Sequence, residues 1–312
     1  MAVKRPNSNS AEQAENSKDK VYMMVTKRIL DNMMQGDIPW RNTIFKRKGA
    51  KSAYTNFVTG KPYSFLNCLL LGEPGEYASF KQIKEKGGVI KKGAKSRIVI
   101  YWGEFIPKDR QEKAKELEEK GESFEHLKVK FPKYYMVFNI KDTMGIKTEE
   151  PDEPEMQEAE EPTAVARMVI GDYEINEQVL LKEDPSFEPA YRVLTDEVEV
   201  PNKENFALEE DYYASVFSGF VHSTAMEKRC NRETEYKKML EGETSVKEEL
   251  IAEIGSSMIL SACGLHRKET HQQIDAVCQK WINAMNKDYR LIVTASYAAE
   301  KSAKYVLGQF AE

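Results

Sequence analysis

The chain has 312 residues, of which 41% are hydrophobic and 31% charged, the balance of an ordinary water-soluble globular protein. No apolar run approaches the roughly 20 residues that span a bilayer, and the polar N-terminus lacks the apolar core of a secretory signal, so membrane, secreted and fibrous classes are excluded. The net charge of -5 is unevenly spread: residues 1–148 carry 29 Lys and Arg against 17 Asp and Glu, whereas residues 149–312 carry 17 against 34, which points to a basic module for a polyanionic partner joined to an acidic one.

Length alone predicts two domains. Residues 1–18 read as a disordered polar tail. Residues 20–35 carry Val21, Met24, Val25, Ile29 and Met33 near helical spacing, with Gly36 as a stop. Arg97–Trp102 and Tyr134–Ile140 are β-branched and aromatic runs that predict strands, and Asp109–Lys120 between them is charged all round, an exposed helix or hairpin. Residues 19–148 therefore predict an α+β domain. Residues 149–166 predict a disordered linker, because 149–162 hold eight acidic residues, three prolines and no basic residue. Residues 167–312 predict a second domain, mainly helical with a small sheet. Its strand candidates are Val165–Ile175 and Tyr191–Val200. Helices are expected over 209–226, 245–262, 274–285 and 289–310, with Thr244 or Ser245 capping the second and Leu250, Ile254 and Met258 forming its apolar stripe.

The four cysteines, Cys68, Cys230, Cys263 and Cys278, include no C-x-x-C pair. They predict buried small side chains in a reducing compartment, not a disulfide framework or thiolate zinc site. The N-terminal half interleaves aromatic, amide and basic residues: Trp40, Arg41, Lys46, Arg47, Lys48, Lys51, Tyr54, Asn56, Lys61, Tyr63, Asn67, Lys81, Lys91, Lys92, Lys95, Arg97 and Trp102. Single-stranded nucleic acid requires this mixture, because bases stack on rings and phosphates demand cations. A fold whose aromatics are core and whose lysines are merely solvated has the same composition.

The order of these residues separates the two readings. The run from Ile38-Pro39-Trp40 through Asn56, Thr59-Gly60, Tyr63 and Asn67, then Phe80-Lys81-Gln82, Gly87-Gly88, Lys92-Gly93 and Val137-Phe138-Asn139 resembles the N-terminal single-stranded-DNA-binding domain of ArdC-type antirestriction proteins and TraC-type plasmid primases. Phe65 departs from the small residue usual in that family. The resemblance implies ssDNA binding without strong sequence choice. The second half resembles the zincin-like metallopeptidase domain that follows in ArdC-type proteins, through Tyr212-Tyr213, Glu248-Glu249 with Glu253, and Asn286-Lys287-Asp288. There a helix carries His-Glu-x-x-His, whose two histidines share one face and grip zinc while the glutamate polarises water; a carboxylate from the Glu-Glu-x-x-x-Glu helix is the third ligand.

On that frame the first histidine is Ser218, the general base is Gly219, and only His222 survives. With Glu249 and Glu253 retained, a vestigial site remains that lacks a ligand and its base, so no bound metal, no cofactor and no catalysis are expected. His222 is expected to face Glu249 or Glu253 as a hydrogen-bonded relic. His266, His271 and Cys230 are not expected to substitute, because ligand sites need preorganised geometry. The resemblance implies a sequence-nonspecific ssDNA-binding antirestriction protein of a phage or mobile element. It would act in the cytoplasm of a bacterial host, with no membrane partner and with a pseudoenzyme domain available to a host restriction or other defence protein. The alternatives are a divergent active zinc metallopeptidase with a rebuilt site, and an adaptor whose acidic half binds a defence protein. The acidic linker would in addition fold back onto the basic domain and compete with DNA.

Overall fold

A computed structural model describes residues 9–46, 52–146, 161–267 and 271–308. The N-terminal half contains α1 (Asn9–Met33), α2 (Pro39–Asn42), β1 (Tyr54–Asn56), α3 (Phe65–Leu71), β2 (Gly75–Ser79), α4 (Phe80–Glu85), β3 (Val89–Ile90), β4 (Arg97–Phe105), α5 (Gln111–Glu119), β5 (Val129–Asn139) and β6 (Thr143–Met144). The C-terminal half contains α6 (Pro162–Glu177), β7 (Leu180–Glu183), β8 (Ala190–Arg192), β9 (Glu197–Val200), α7 (Glu209–Ser223), α8 (Glu233–Leu240), α9 (Val246–Cys263), α10 (His271–Lys287) and α11 (Leu291–Val306). The architecture is α+β, as the sequence predicts, with helices dominating the second half.

The first half is built on a sheet of order β1-β2-β5-β4, in which only β1 and β2 run parallel, and β3 pairs with β6 beside it. Strands β4 and β5 stay paired from Arg97–Val137 out to Phe105–Val129, well beyond the width of the other strands, so their far ends form a projecting two-stranded ribbon. Asn67 ties this ribbon's root to α3. Its side chain donates to the Ile100 carbonyl at 2.8 Å and accepts from the Ile100 amide at 2.7 Å, standing in for a missing strand partner. In the second half a small sheet of order β7-β9-β8 packs on α7, and α7 crosses α9 closely enough that a Cβ on Gly255 would come within 2.8 Å of Val221. Ser245 caps α9 by accepting from the Glu248 amide at 3.1 Å.

Several sequence expectations are corrected. α1 begins at Asn9, inside the expected tail, because Ala, Glu, Gln and Lys in that stretch are good helix formers. Val165–Ile175 is helix, not strand: Val165, Ala166, Val169, Ile170 and Tyr173 are buried at spacings of one helix face, and tertiary burial overrides their β-branched character. The same helix starts at Pro162, within the expected linker; residues 149–160 of the acidic run lie outside the described residues. Tyr191–Val200 is a hairpin, β8 turning into β9 at Asp196 with φ of 56°. The two halves do not have separate cores either. One buried cluster joins Val25, Ile29, Trp40 and Phe65 to Phe217, Ile254, Met258 and Ala299. Polar ties reinforce it, among them Phe65 N–H to Glu300 at 2.9 Å and Phe45 N–H to Ser261 Oγ at 3.0 Å.

Replacing Asn67 by Ala leaves the Ile100 amide and carbonyl unpaired in a dry site. We expect the free energy of unfolding to drop by about 1–3 kcal/mol, measured by urea titration.

Candidate nucleic-acid interface and the zincin-like cleft

The projecting ribbon carries rings on both faces. Alternation along β4 and β5 puts Tyr101, Phe105, Tyr135 and Phe131 on one face with Lys133, and Trp102, Tyr134 and Met136 on the other. Tyr101, Trp102, Phe105, Tyr134, Tyr135 and Met136 are all exposed. Tyr101 meets Tyr135 edge-to-face at 5.5 Å, Phe105 meets Phe131 at 5.3 Å, and the Lys133 ammonium sits 4.9 Å above the Phe131 ring. Exposing so many rings costs solvation free energy that a monomer recovers only by binding something. At the ribbon's root, Lys27 and Arg28 of α1 face Lys95 and Arg97 across a groove in which Asp31 is the one carboxylate.

Of the sequence-predicted contacts, Lys46, Lys61, Lys81, Lys91, Lys92 and Lys95 are exposed and Arg97 is half-buried beside Glu73. Arg47, Lys48 and Lys51 lie outside the described residues. The aromatic and amide candidates before Trp102 take other roles. Trp40 is 0% exposed, so no face is open to a base. Its Nε1 donates to Glu253 at 3.2 Å, and Arg41 Nε donates to the same oxygen at 2.7 Å. Tyr54 and Tyr63 are core residues packed around Tyr77. Burial pushes the Tyr54 phenol up to about 12, with the nearby Cys68 adding to the shift. Asn67 is the buried clamp on β4. Asn56 organises its own turn, accepting from the Val58 and Thr59 amides at 3.1 and 3.0 Å. Sequence reasoning did not single out Lys133, and it read Tyr134 and Tyr135 simply as strand; the available signal was a run of rings too dense for one buried face.

The second site lies in the C-terminal half, where β8, the β8–β9 turn, α7 and α9 enclose a cleft of about 860 Å³. Ser218, Gly219, His222, Glu249 and Glu253 all line it, so the five positions of the vestigial site are gathered as the resemblance implies. Their partners are the finding. His222 Nδ1 lies 3.1 Å from Glu248, not from Glu249 or Glu253. Glu248 is fully buried and held by Arg232, whose Nε donates at 2.8 Å. Arg232 also donates to Thr224 and Ser302. Burial by itself would raise the Glu248 carboxyl, but hydrogen bonds from His222 and Arg232 outweigh it and hold the group below the ordinary carboxylate range. Glu249 pairs with Lys280 at 3.0 Å. Glu253 is shared by Trp40 and Arg41, with Arg267 3.9 Å away.

This donor set is short of the three protein ligands that zinc usually takes. Glu249 and Glu253 each have a cationic partner, and among the described residues His222 is the one imidazole lining the cleft. Among the described residues, no group of three or more His, Cys, Asp or Glu side chains is placed to hold a metal. Position 219 does not readily take a side chain either. A Cβ on Gly219 would stand 2.5 Å from Val198 Cγ1 and 2.8 Å from Cγ2, inside any real contact distance. His266 is exposed and does not line the cleft, Cys230 is buried, and the His271 side chain is outside the described residues. Among the described residues no helix is long and apolar enough to cross a membrane.

Fold and cleft together define a two-part chain, a basic sheet module followed by a zincin-like helical half. A family model for the N-terminal domain of anti-restriction factor ArdC matches residues 19–138, and one for a zincin-like metallopeptidase, MPTase-PolyVal, matches residues 176–298. The chain therefore combines an ArdC-type N-terminal domain with a zincin-like metallopeptidase-type domain. The ArdC protein of plasmid R388 has a crystal structure similar to it at a TM-score of 0.62 and 23% identity, covering 93% of this chain and 99% of that one. The Mn(II)-bound structure of the same protein gives 0.62 at 22% identity, covering 92% and 97%. Two Escherichia coli DNA primases named TraC are each 26% identical to it across 93% of this chain. The chain spans only 27% and 20% of their lengths. An uncharacterized protein of Sinorhizobium fredii, y4eC, is 23% identical over 93% of this chain and 92% of its own.

Two outcomes follow from the cleft. Glu248→Ala strands Arg232 beside His222 and is expected to cost about 3–5 kcal/mol. With the folded pKa below the unfolded one, the Glu248 contribution is complete above about pH 4.3 and is lost as pH falls through the lower folded value. Unfolding titrations over that acid range should therefore be flatter for Glu248→Gln than for the natural chain. Gly219→Ala should lower stability by about 1–3 kcal/mol through overpacking against Val198, read as a fall in Tm.

Proposed function

We propose that this protein binds single-stranded DNA without strong sequence preference and serves an antirestriction role for a mobile element or phage in a bacterial cytoplasm. In this role its zincin-like half does not hydrolyse peptides. The observation that carries the DNA reading is the β4–β5 ribbon, where exposed Tyr101 and Tyr135 share one face with Lys133 and exposed Trp102 and Tyr134 share the other, above a groove lined by four cations. Rings of this kind give each base a stacking surface, and the cations follow the phosphates. The ArdC model match over residues 19–138 supports the same reading.

The non-catalytic reading of the second half rests on chemistry. A hydrolytic zincin needs a water activated by a metal and a nearby carboxylate base. Here the base position is a glycine closed off by Val198, and the retained carboxylates Glu249 and Glu253 are paired with Lys280 and Arg41. Protein cations stand in for the dication. An interaction role toward a host defence protein is the remaining use for a cleft of this size.

DNA binding is tested by fluorescence anisotropy with labelled oligothymidylate. Tyr135→Ala should weaken affinity by about 1–3 kcal/mol, and Lys133→Ala should reduce the log–log salt slope by roughly 0.7. Absence of binding at low salt would overturn the reading. For the cleft, equilibration with excess Zn(II) or Mn(II) followed by desalting and elemental analysis should leave no stoichiometric metal. Stoichiometric metal that disappears in His222→Ala would instead establish the metallopeptidase alternative.

A further inference from the structure

The root of the ribbon meets the C-terminal half in a second, smaller cleft of about 310 Å³. This volume lies within the range of small-ligand pockets. One wall is Trp102 of β4. The opposite wall is α11, which presents Val293, Tyr297 and Lys301 at successive intervals of four residues, hence on one helix face. The two rings at the mouth are conspicuously open. Trp102 is 43% and Tyr297 65% exposed, although the floor between them is apolar, formed by Leu66 and Ile100. Tyr22 supports the indole from behind, its ring 6.4 Å from that of Trp102.

The charge at the rim is positive. Glu300 is the single acidic residue in the lining, and both of its oxygens are engaged, by the Phe65 amide at 2.9 Å and by Lys304 at 2.7 Å. Lys301 donates to the Cys230 carbonyl at 3.0 Å, a neutral partner that leaves its charge uncompensated. Two exposed rings lining one cleft over an apolar floor, with one net positive charge at the edge, match a nucleobase and its phosphate.

We infer that this cleft takes one base of the bound strand, sandwiched between Trp102 and Tyr297, so that α11 of the zincin-like half is part of the DNA-binding surface. The inference rests on the ssDNA reading and extends it: the two halves bind the strand jointly. Trp102 belongs to both surfaces, which places the cleft in line with the ribbon.

The other two tryptophans, Trp40 and Trp281, are buried, so quenching of intrinsic fluorescence by oligothymidylate of about 16 nucleotides reports on Trp102. Titration of the full chain should quench a fraction of the emission, and that fraction should be missing in Trp102→Phe. Tyr297→Ala should weaken binding by about tenfold without changing the melting temperature, since the side chain is exposed, and Tyr297→Phe should bind like the natural chain. Tight binding with no quenching and an unchanged Tyr297→Ala affinity overturns the shared pocket while leaving the ribbon in place, provided Tyr135→Ala still weakens binding. If the natural chain binds no oligonucleotide at low salt, the ribbon and the pocket are both rejected.

Discussion

The carboxylate of Glu253 sits where the two halves of the molecule meet, and most of the architecture is arranged around it. It leaves the middle of α9 toward α2, where it accepts from Trp40 and Arg41. An ionised carboxylate at a mostly buried interface is tolerated only if it is hydrogen-bonded and paired, and α2 provides both. The indole then cannot be exposed, and the single core that runs from α1 through α9 to α11 follows from the same docking. A chain whose sequence divides in charge and composition into two modules thus folds as one body among its described residues.

Neutralising each cleft carboxylate with a different cation has a structural cost as well as a chemical effect. A metal ion would gather its ligands around one point. Separate cations instead draw Glu249 outward to Lys280 and Glu253 across to Arg41, so the two carboxylates diverge, while the neighbouring Glu248 turns inward to Arg232. The cleft keeps its volume and loses its focus.

Much of this was legible in the sequence. The helix over 245–262 could be read from its Ser245 cap and apolar stripe, and the motifs from Asn56 to Asn139 gave the N-terminal half its family. The glycine at position 219, where the resemblance expects a glutamate, was visible too, because it is a matter of residue identity. Partners distant in sequence were not legible. Nothing local to Trp40 and Arg41 distinguishes a base-stacking pair from one that docks on a glutamate more than 200 residues away; composition fits both, and the family resemblance favoured the former. His222 was assigned to Glu249 or Glu253 because the register of two crossing helices, which selects Glu248, is a property of packing. The helix over residues 162–177 was misread as strand because β-branched residues drew attention away from its spacing, which was on view throughout.

The contact between Gly219 and Val198 has a consequence for variation as well as for stability. Any side chain at position 219 would meet a valine wedged against the backbone of α7, so its first effect would be to disturb the β9 packing. The two positions are therefore coupled: a Cβ at 219 becomes tolerable only with a smaller residue at 198 or a shifted β9. One methyl-bearing side chain behind a glycine makes neighbours in space, 21 residues apart in sequence, vary as a pair.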